Sequence, residues 1–288
     1  MLARAATLAA DQVLMDLEDA VAPDAKDAAR PVVLAALAEH DYGGRVVSLR
    51  VNSVDTRWCY RDLVDVVERS GDRLATIVVP KVDGAEDVHF VDRLLRQIEL
   101  ARGWQAGLIG LEAQIESPRG VAHIDAIAAA SPRLEALIFG PGDLAASMGL
   151  PQLTVGEMSD AYPGDVWHYV RMRILVAARA NGLLAVDGPY AMLADAAGLA
   201  RSARLAAALG FDAKWVIHPS QIDAVNGAFT PEPALYARAE GILDAYRAAA
   251  AEGRGAVRYE GEMIDEANRK MAESVARRGR WLGLERAR

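Results

Sequence analysis

The sequence predicts a parallel α/β barrel of the TIM (β/α)8 type, one strand short, with a helical C-terminal extension. Three observations lead there. Seven short apolar runs alternate with helical stretches over more than 200 residues, the pattern of βαβ units joined into a parallel sheet. No glycine-rich turn of the GxGxxG kind opens any of the helices, which makes an open doubly wound sheet the weaker alternative. Past residue 230 the strands stop and helical spacing continues alone.

The elements follow in order. Leu2 to Ala10 reads as helix, so the absent strand is the first. QVLMDLEDA, 12–20, is a buried strand ending in Asp16, Glu18 and Asp19, and Asp24 to Glu39 has helical spacing. RVVSLRV, 45–51, is the next strand, followed by a loop over 52–56 and a helix over 61–69. ATIVVPK, 75–81, precedes a long amphipathic helix from Gly84 to Ala101. Strands at 108–115 and 135–140 flank a helix at 120–130, and a short helix starts at Leu144. Residues 151–163, with Gly, Pro and acids, read as a loop and a mobile flap. A helix over 165–180, strand 183–188, helix 193–209 and strand 214–218 complete the alternation, and PSQI leads into a helix ending near Ala228. This sets a catalytic barrel at 1–228 and an extension at 229–288. The extension comprises an Ala-rich helix, the stretch VRYEGEMID and a last helix to Arg277. It is too short for an independent core and is expected to pack on the barrel or reach a neighbouring subunit.

Composition narrows the function. A chain of 288 residues with net charge −8 and a pI near 5.2 lacks the basic surplus that nucleic acid demands. A small anion remains possible, because it needs only a few local cations. The single cysteine, Cys59, excludes an intrachain disulfide and a cysteine metal cluster. Beside Trp58 and Tyr60 it reads as a packed thiol. No run approaches the roughly 18 apolar residues of a membrane span. The start MLARAATLAADQ lacks a signal peptide's apolar centre, so a cytoplasmic location is expected.

The chemistry concentrates between Leu108 and Gly149. Two apolar runs there each lead to a carboxylate, Glu116 and Asp143, and then break at Pro or Gly before a helix. In a parallel sheet this sets both acids at the carboxyl ends of neighbouring strands, the face where α/β enzymes do chemistry. Either acid alone is ordinary capping chemistry; as a pair they suit oxygen ligation of one hard cation. Asp16, Glu18, Asp19 and Asp187 end other strands. Acids so gathered repel unless a cation neutralises them, and Mg2+ first, Mn2+ second, fits an all-oxygen set. The five histidines are scattered, and His218 before Pro219 reads as a packed or capping residue. Arg50 ends its strand on the same rim, where its planar fork either clamps a carboxylate and receives growing charge or bridges to Asp16 or Glu18. Lys26 and Arg30, one helical turn apart, either take a phosphate or are solvated; spacing alone favours solvation.

Six segments, MDLEDAVAPDAKDAAR, LRVNSVDTRWCYRDL, VVPKV, AQIESPRGVAHIDAIAAASPRLEALIFGPGDLAASMG, AVDGPY and GFDAKWVIHPSQI, resemble in this order the citrate lyase β subunit-like branch of the HpcH/HpaI aldolase superfamily. Within it they are most similar to the L-malyl-CoA/β-methylmalyl-CoA lyases and citramalyl-CoA lyases. The resemblance implies a TIM barrel with Mg2+ held by Glu116 and Asp143, metal waters contacted by Asp16, Glu18 and Asp19, and substrate oxygens held by metal and Arg50. It implies that Lys26 and Arg30 lie near the coenzyme A phosphates. It also implies that GAVRYEGEMID presents Asp265 as acid/base to a neighbouring subunit's site in a homotrimer or homohexamer; the residues alone make Asp265 a helix N-cap. Family members open with an R-S-x-L-x-x-P-G-like strand that serves the coenzyme A site. The absence of that strand agrees with the count of seven.

The activity so implied is reversible retro-Claisen cleavage of a 3-hydroxyacyl-CoA thioester, L-malyl-CoA first, to acetyl-CoA and the 2-oxo acid glyoxylate. With metal and Arg50 stabilising charge, no Schiff-base lysine is required, and Lys81 in VVPKV reads as structural. β-Methylmalyl-CoA or citramalyl-CoA differs by a methyl group, a discrimination worth only about 1–3 kcal/mol. A malyl-CoA thioesterase and a citrate lyase β-like subunit acting on a carrier-bound thioester are the alternatives.

Overall fold

Runs rich in Val, Ile and Leu form seven strands, and in the computed structural model they lie in one parallel sheet in chain order. Residues 2–157 and 162–286 are described. The strands are β1 (Gln12–Asp16), β2 (Val46–Arg50), β3 (Thr76–Val79), β4 (Gly110–Ile115), β5 (Leu134–Phe139), β6 (Leu184–Asp187) and β7 (Ala213–Lys214). Each pairs in parallel with the next. Every residue of β3 and β4 is buried, as expected where helices cover one face and the sheet curls on the other.

The intervening helices bury one stripe each. Ala85–Ala101 turns Val88, Val91, Leu95 and Ile98 inward, a 3-4-3 spacing. Asp87 closes its first turn by accepting from the Gly84 N–H at 3.1 Å. On the inner face of the sheet Val78, Ala136, Ile138 and Val186 form an apolar cluster that Leu14 and Trp215 pack against. The register sets Arg50 beside Asp16 on one side and Val78 on the other.

Several boundaries differ from the sequence reading. The first helix is Leu2–Ala5, not Leu2 to Ala10. β1 stops at Asp16, because the Asp16 carboxylate accepts the N–H groups of Glu18 (2.8 Å) and Ala20 (3.2 Å) and curls the chain. Glu18 and Asp19 therefore stand in a turn. β7 is two residues long instead of five; the Trp215 N–H makes the last bond to β6, donating to the Asp187 carbonyl at 2.9 Å, and its ring lies against the inner cluster. The helix after β5 begins at Pro141 rather than Leu144, which moves Asp143 from a strand end into the first helical turn. Of the stretch read as a flap, 158–161 lie outside the described residues, and the Val155 carbonyl accepts from the Ala191 N–H at 3.0 Å.

By its contacts the chain divides into two compact units, Met1–Val225 and Asn226–Arg288. In the second, helices Pro233–Ala251 and Glu266–Trp281 pack through Tyr236, Ala239, Leu243, Ala272 and Ala276. Gly279 allows that approach: a Cβ there would stand 2.3 Å from the Tyr236 ring. Between the helices lies an antiparallel hairpin, β8 (Val257–Tyr259) and β9 (Glu262–Ile264), where the sequence showed only an irregular stretch. Among the described residues no helix is long and apolar enough to cross a membrane.

Candidate active site

Arg50 closes β2 level with Asp16 at the end of β1 and grips it at two points. Nε donates to Oδ1 at 2.9 Å and Nη2 to Oδ2 at 2.6 Å. Nη1 lies 3.2 Å from Glu18 Oε2 and 3.4 Å from Gln114 Oε1. The Trp215 ring centroid is 5.5 Å from its guanidinium carbon, within cation-π range. Both readings of Arg50 therefore share one geometry: the bridge to Asp16 and Glu18 exists, and it fixes the guanidinium on the rim. Burial works to raise the Asp16 pKa, but the Arg50 hydrogen bonds and charge, with two backbone N–H groups, hold it below the usual value. Burial works against the Arg50 charge and the three acids Asp16, Glu18 and Asp19 outweigh it, so its pKa is raised.

Glu116 stands one residue beyond β4 and is 2% exposed. Its Oε1 accepts the Lys81 backbone N–H at 2.8 Å and its Oε2 accepts Gln114 Nε2 at 2.5 Å. Glycine is required at 140 on the neighbouring chain segment, because a Cβ there would lie 2.4 Å from Glu116 Cβ. Burial and then the charge of Asp143 push the Glu116 carboxyl up to about 8. Asp143 reaches the same place from its helix, with Oδ1 3.6 Å from Lys81 Nζ.

Two residues that the sequence reading left out of the site belong to this cluster. Lys81, read there as structural, sends its ammonium into the acids: it bonds Glu18 Oε1 and lies 3.4 Å from Asp19 Oδ1. Burial lowers its pKa and Glu18, Asp143 and Asp19 raise it further, with a net rise. Gln114 links Arg50 to Glu116. The signal for Gln114 was present, since it precedes Glu116 by two positions and a strand repeats its face every two residues. Lys81 carried no such signal, because its placement depends on a turn after Pro80.

Other candidates are committed elsewhere. Lys26 is neither solvated nor free: its Nζ donates to the carbonyls of Leu17 (3.0 Å) and Glu18 (2.7 Å), bracing the turn after β1. Arg30 is buried as well, donating to Asp62 at 2.8 Å and Asp27 at 2.7 Å. Asp62 in turn holds the Asn52 backbone and side chain at 2.9 and 2.6 Å. The heads of both basic residues are thus buried, with Arg30 Nη2 left without a hydrogen-bond partner. Asp187 is fully buried between Arg171 (3.0 Å) and Lys214 (2.6 Å), which removes it from the acid ring. Asp265 caps helix Glu266–Trp281, accepting from Ala267 and Asn268 at 2.9 and 3.2 Å. His218 accepts the Ser220 N–H at 3.2 Å, a local cap. The Cys59 thiol is packed, and burial followed by the Asp62 charge pushes it up to about 12.

A hard divalent cation fits the rim. Among the described residues no three acidic, histidine or cysteine side chains gather as a protein-only cage. Mg2+ does not need one, because it is held through one or two carboxylates and keeps waters or substrate oxygens for its other positions. Glu116 and Asp143 supply that number, one buried at the end of its strand and the other half-exposed in the first turn of the next helix.

Residues 1–219 match the HpcH/HpaI aldolase/citrate lyase family. The chain belongs to this family. Over 286 residues it is 42% identical to L-malyl-CoA/beta-methylmalyl-CoA lyase of Cereibacter sphaeroides, covering 96% of this chain and 90% of that protein. It is 35% identical over 256 residues to citrate lyase subunit beta of Escherichia coli, covering 89% and 81%. Among solved structures, CitE of Mycobacterium tuberculosis in complex with magnesium, acetoacetate and coenzyme A is similar with a TM-score of 0.75 and 33% identity, covering 94% of this chain and 90% of that one. In this member of the HpcH/HpaI family the rim of β1, β2 and β4 therefore brings together Asp16, Glu18, Arg50, Gln114 and Glu116, with Lys81 and Asp143 closing the ring.

Proposed function

We propose that this chain is a Mg2+-dependent carbon–carbon lyase that cleaves L-malyl-CoA reversibly to acetyl-CoA and glyoxylate, and β-methylmalyl-CoA to propionyl-CoA and glyoxylate. One observation carries the reading: Arg50, held rigidly by Asp16, faces the Glu116 and Asp143 carboxylates across a single rim through Gln114 and Lys81. The 42% identity to a lyase of this name supports the substrate, and a similar structure in complex with magnesium and coenzyme A supports the cofactor and the thioester.

Glu116 and Asp143 would hold the ion, which when bound supplies Lewis-acid polarisation of the oxygen that becomes the glyoxylate carbonyl. Arg50 lies across from them and takes negative charge on the substrate carboxylate and that same oxygen. Release of the hydroxyl proton to water lets the C–C bond break with its electron pair passing to the thioester, whose enolate then takes a proton at carbon from protonated Asp265; water returns a proton to Asp265, so none is gained or lost overall. Run in reverse, Asp265 removes the proton at carbon. No lysine forms a bond to substrate. Lys26 and Arg30 would lie near the coenzyme A phosphates, and they also fix the turn after β1 and the segment from Asn52 to Asp62.

Further parts of the reading are that the seven strands belong to a (β/α)8 barrel, that the second unit lids a neighbouring subunit's site, that the assembly is a homotrimer or homohexamer, that Mn2+ substitutes for Mg2+, and that the enzyme works in the cytoplasm. The test is direct. Purified protein with Mg2+ and malyl-CoA should yield glyoxylate, trapped as its phenylhydrazone. Free coenzyme A without glyoxylate would replace the lyase by a thioesterase, and neither product would favour a carrier-dependent citrate lyase β-like subunit.

A further inference from the structure

We infer that Lys81 is a positioning residue of this site whose ammonium is the resident counter-cation of the acid cluster, displaced from Asp143 when the divalent ion enters. The inference rests on the metal site proposed above and deepens it. Lys81 is one of only two described non-glycine residues with positive φ, at 53°. The other, Glu260 at 47°, precedes Gly261 in the tight β8–β9 hairpin, where such a value is ordinary. Lys81 has no hairpin to account for it. It follows Pro80 at the end of β3, and the left-handed conformation, which a side chain disfavours, gives it two contacts at once.

Its backbone N–H meets Glu116 Oε1 at 2.8 Å, orienting one candidate ligand. Its Nζ meanwhile bonds Glu18, lies 3.4 Å from Asp19 and lies 3.6 Å from Asp143, the other candidate ligand. One residue therefore touches both carboxylates assigned to the metal and two more acids from the β1 turn. A lone ammonium shared by three carboxylates on a partly exposed rim sits where a divalent ion has most to gain. Two cations at Asp143 repel each other, and the 3.6 Å approach of the ammonium to Oδ1, longer than a hydrogen bond, is the contact that yields. The remaining pair with Glu18, itself 3.2 Å from Arg50, gives the displaced ammonium a place to stay.

The experiment compares wild type with Lys81→Gly, which tolerates positive φ and keeps the backbone N–H, and with Lys81→Met, which keeps the side-chain length. Mg2+ binding is measured by titration calorimetry and thermal melting is followed with and without chelator. Both variants should bind Mg2+ at least about tenfold more tightly, since a unit charge within about 4–6 Å moves a carboxylate's ionic equilibrium by about one to three decades. Both should melt lower than wild type in chelator and recover when Mg2+ is added. Unchanged or weaker Mg2+ binding in both variants, with wild type binding normally, would overturn the inference alone. Absence of Mg2+ binding in all three proteins would overturn the metal site as well.

Discussion

Asp16 and Arg50 end adjacent parallel strands in register and meet in a two-point contact of 2.9 and 2.6 Å. The carboxylate holds the guanidinium in one orientation, so Arg50 is pre-set for an oxyanion instead of having to be ordered by it. Arg50→Lys should keep the charge and lose the fork. We expect kcat to fall about 10²–10³-fold, as when one oxyanion donor is removed, with melting temperature little changed. Arg50→Ala should lose activity similarly but also destabilise, because half-buried Asp16 loses its charged partner and keeps only backbone N–H groups while Glu18 keeps only Lys81 as a cation, at a cost of about 1–3 kcal/mol. Denaturant unfolding separates the two variants.

Glu116 is buried and its carboxyl is pushed up to about 8, so its charge burdens the metal-free fold. Glu116→Gln keeps the shape and can still accept from the Lys81 N–H, with the Gln114 amide turned over so that its oxygen accepts from the new amide nitrogen. Its metal-free form is expected to melt at or above wild type in chelator, while calorimetry shows no Mg2+ binding and turnover falls about a thousandfold or more. Wild-type Mg2+ affinity in this variant would remove Glu116 from the metal site.

Asp265 accepts two backbone N–H groups at the start of its helix. Asn caps about as well as Asp, so Asp265→Asn tests the acid/base role without disturbing the helix. Turnover should fall about 10²–10⁴-fold with Mg2+ affinity and melting unchanged. Mixing Asp265→Asn with Arg50→Ala subunits under exchange conditions should restore part of the activity, because some sites then combine an intact rim with an intact Asp265. No restoration on mixing would remove the trans arrangement.

The fold was more legible than the site. Strand β3 and the 136–139 end of β5 are short apolar runs, and such runs announce buried parallel strands without any tertiary information, whereas β4 alternates apolar residues with Glu112 and Gln114. Arg50, Glu116 and Asp16 were legible because strand ends fix which residues reach the rim, whereas Glu18 and Asp19 reach it from the turn that Asp16 closes. Asp143 was located to the correct segment but in the wrong element, since Pro141 starts a helix more readily than its apolar spacing shows. Lys81 was missed because its role depends on one backbone torsion, which no pattern of residue types encodes. Lys26 and Arg30 were read as facing outward because a charged helical pair ordinarily does. Their inward turn depends on Asp62, far along the chain, and on the Leu17 and Glu18 carbonyls that the turn after β1 presents.

Glu112 tests the barrel interior apart from the site. It sits on the inner face of β4, 4% exposed, and its Oε1 accepts from Gln12 Nε2 at 2.7 Å and Thr76 Oγ1 at 2.6 Å. Thr76 Oγ1 in turn lies 2.6 Å from Ser48 Oγ, so the carboxyl rests in a neutral polar layer without a cation. Burial raises its pKa above the ordinary value, and the hydrogen bonds from Thr76 and Gln12 offset only part of that rise. The sign follows. A carboxyl raised in the folded state binds its proton more tightly there than in the unfolded chain. Its contribution is therefore full below the unfolded value near 4.3 and is lost as pH climbs through the folded one. Glu112→Gln carries the same shape with no ionisable proton and keeps an oxygen for Gln12 and Thr76. The variant should match wild type at acidic pH and melt above it at pH 8, with the gap widening as pH rises. A melting difference that stays constant between pH 5 and 8 would mean that Glu112 is already compensated by a group other than these neutral partners.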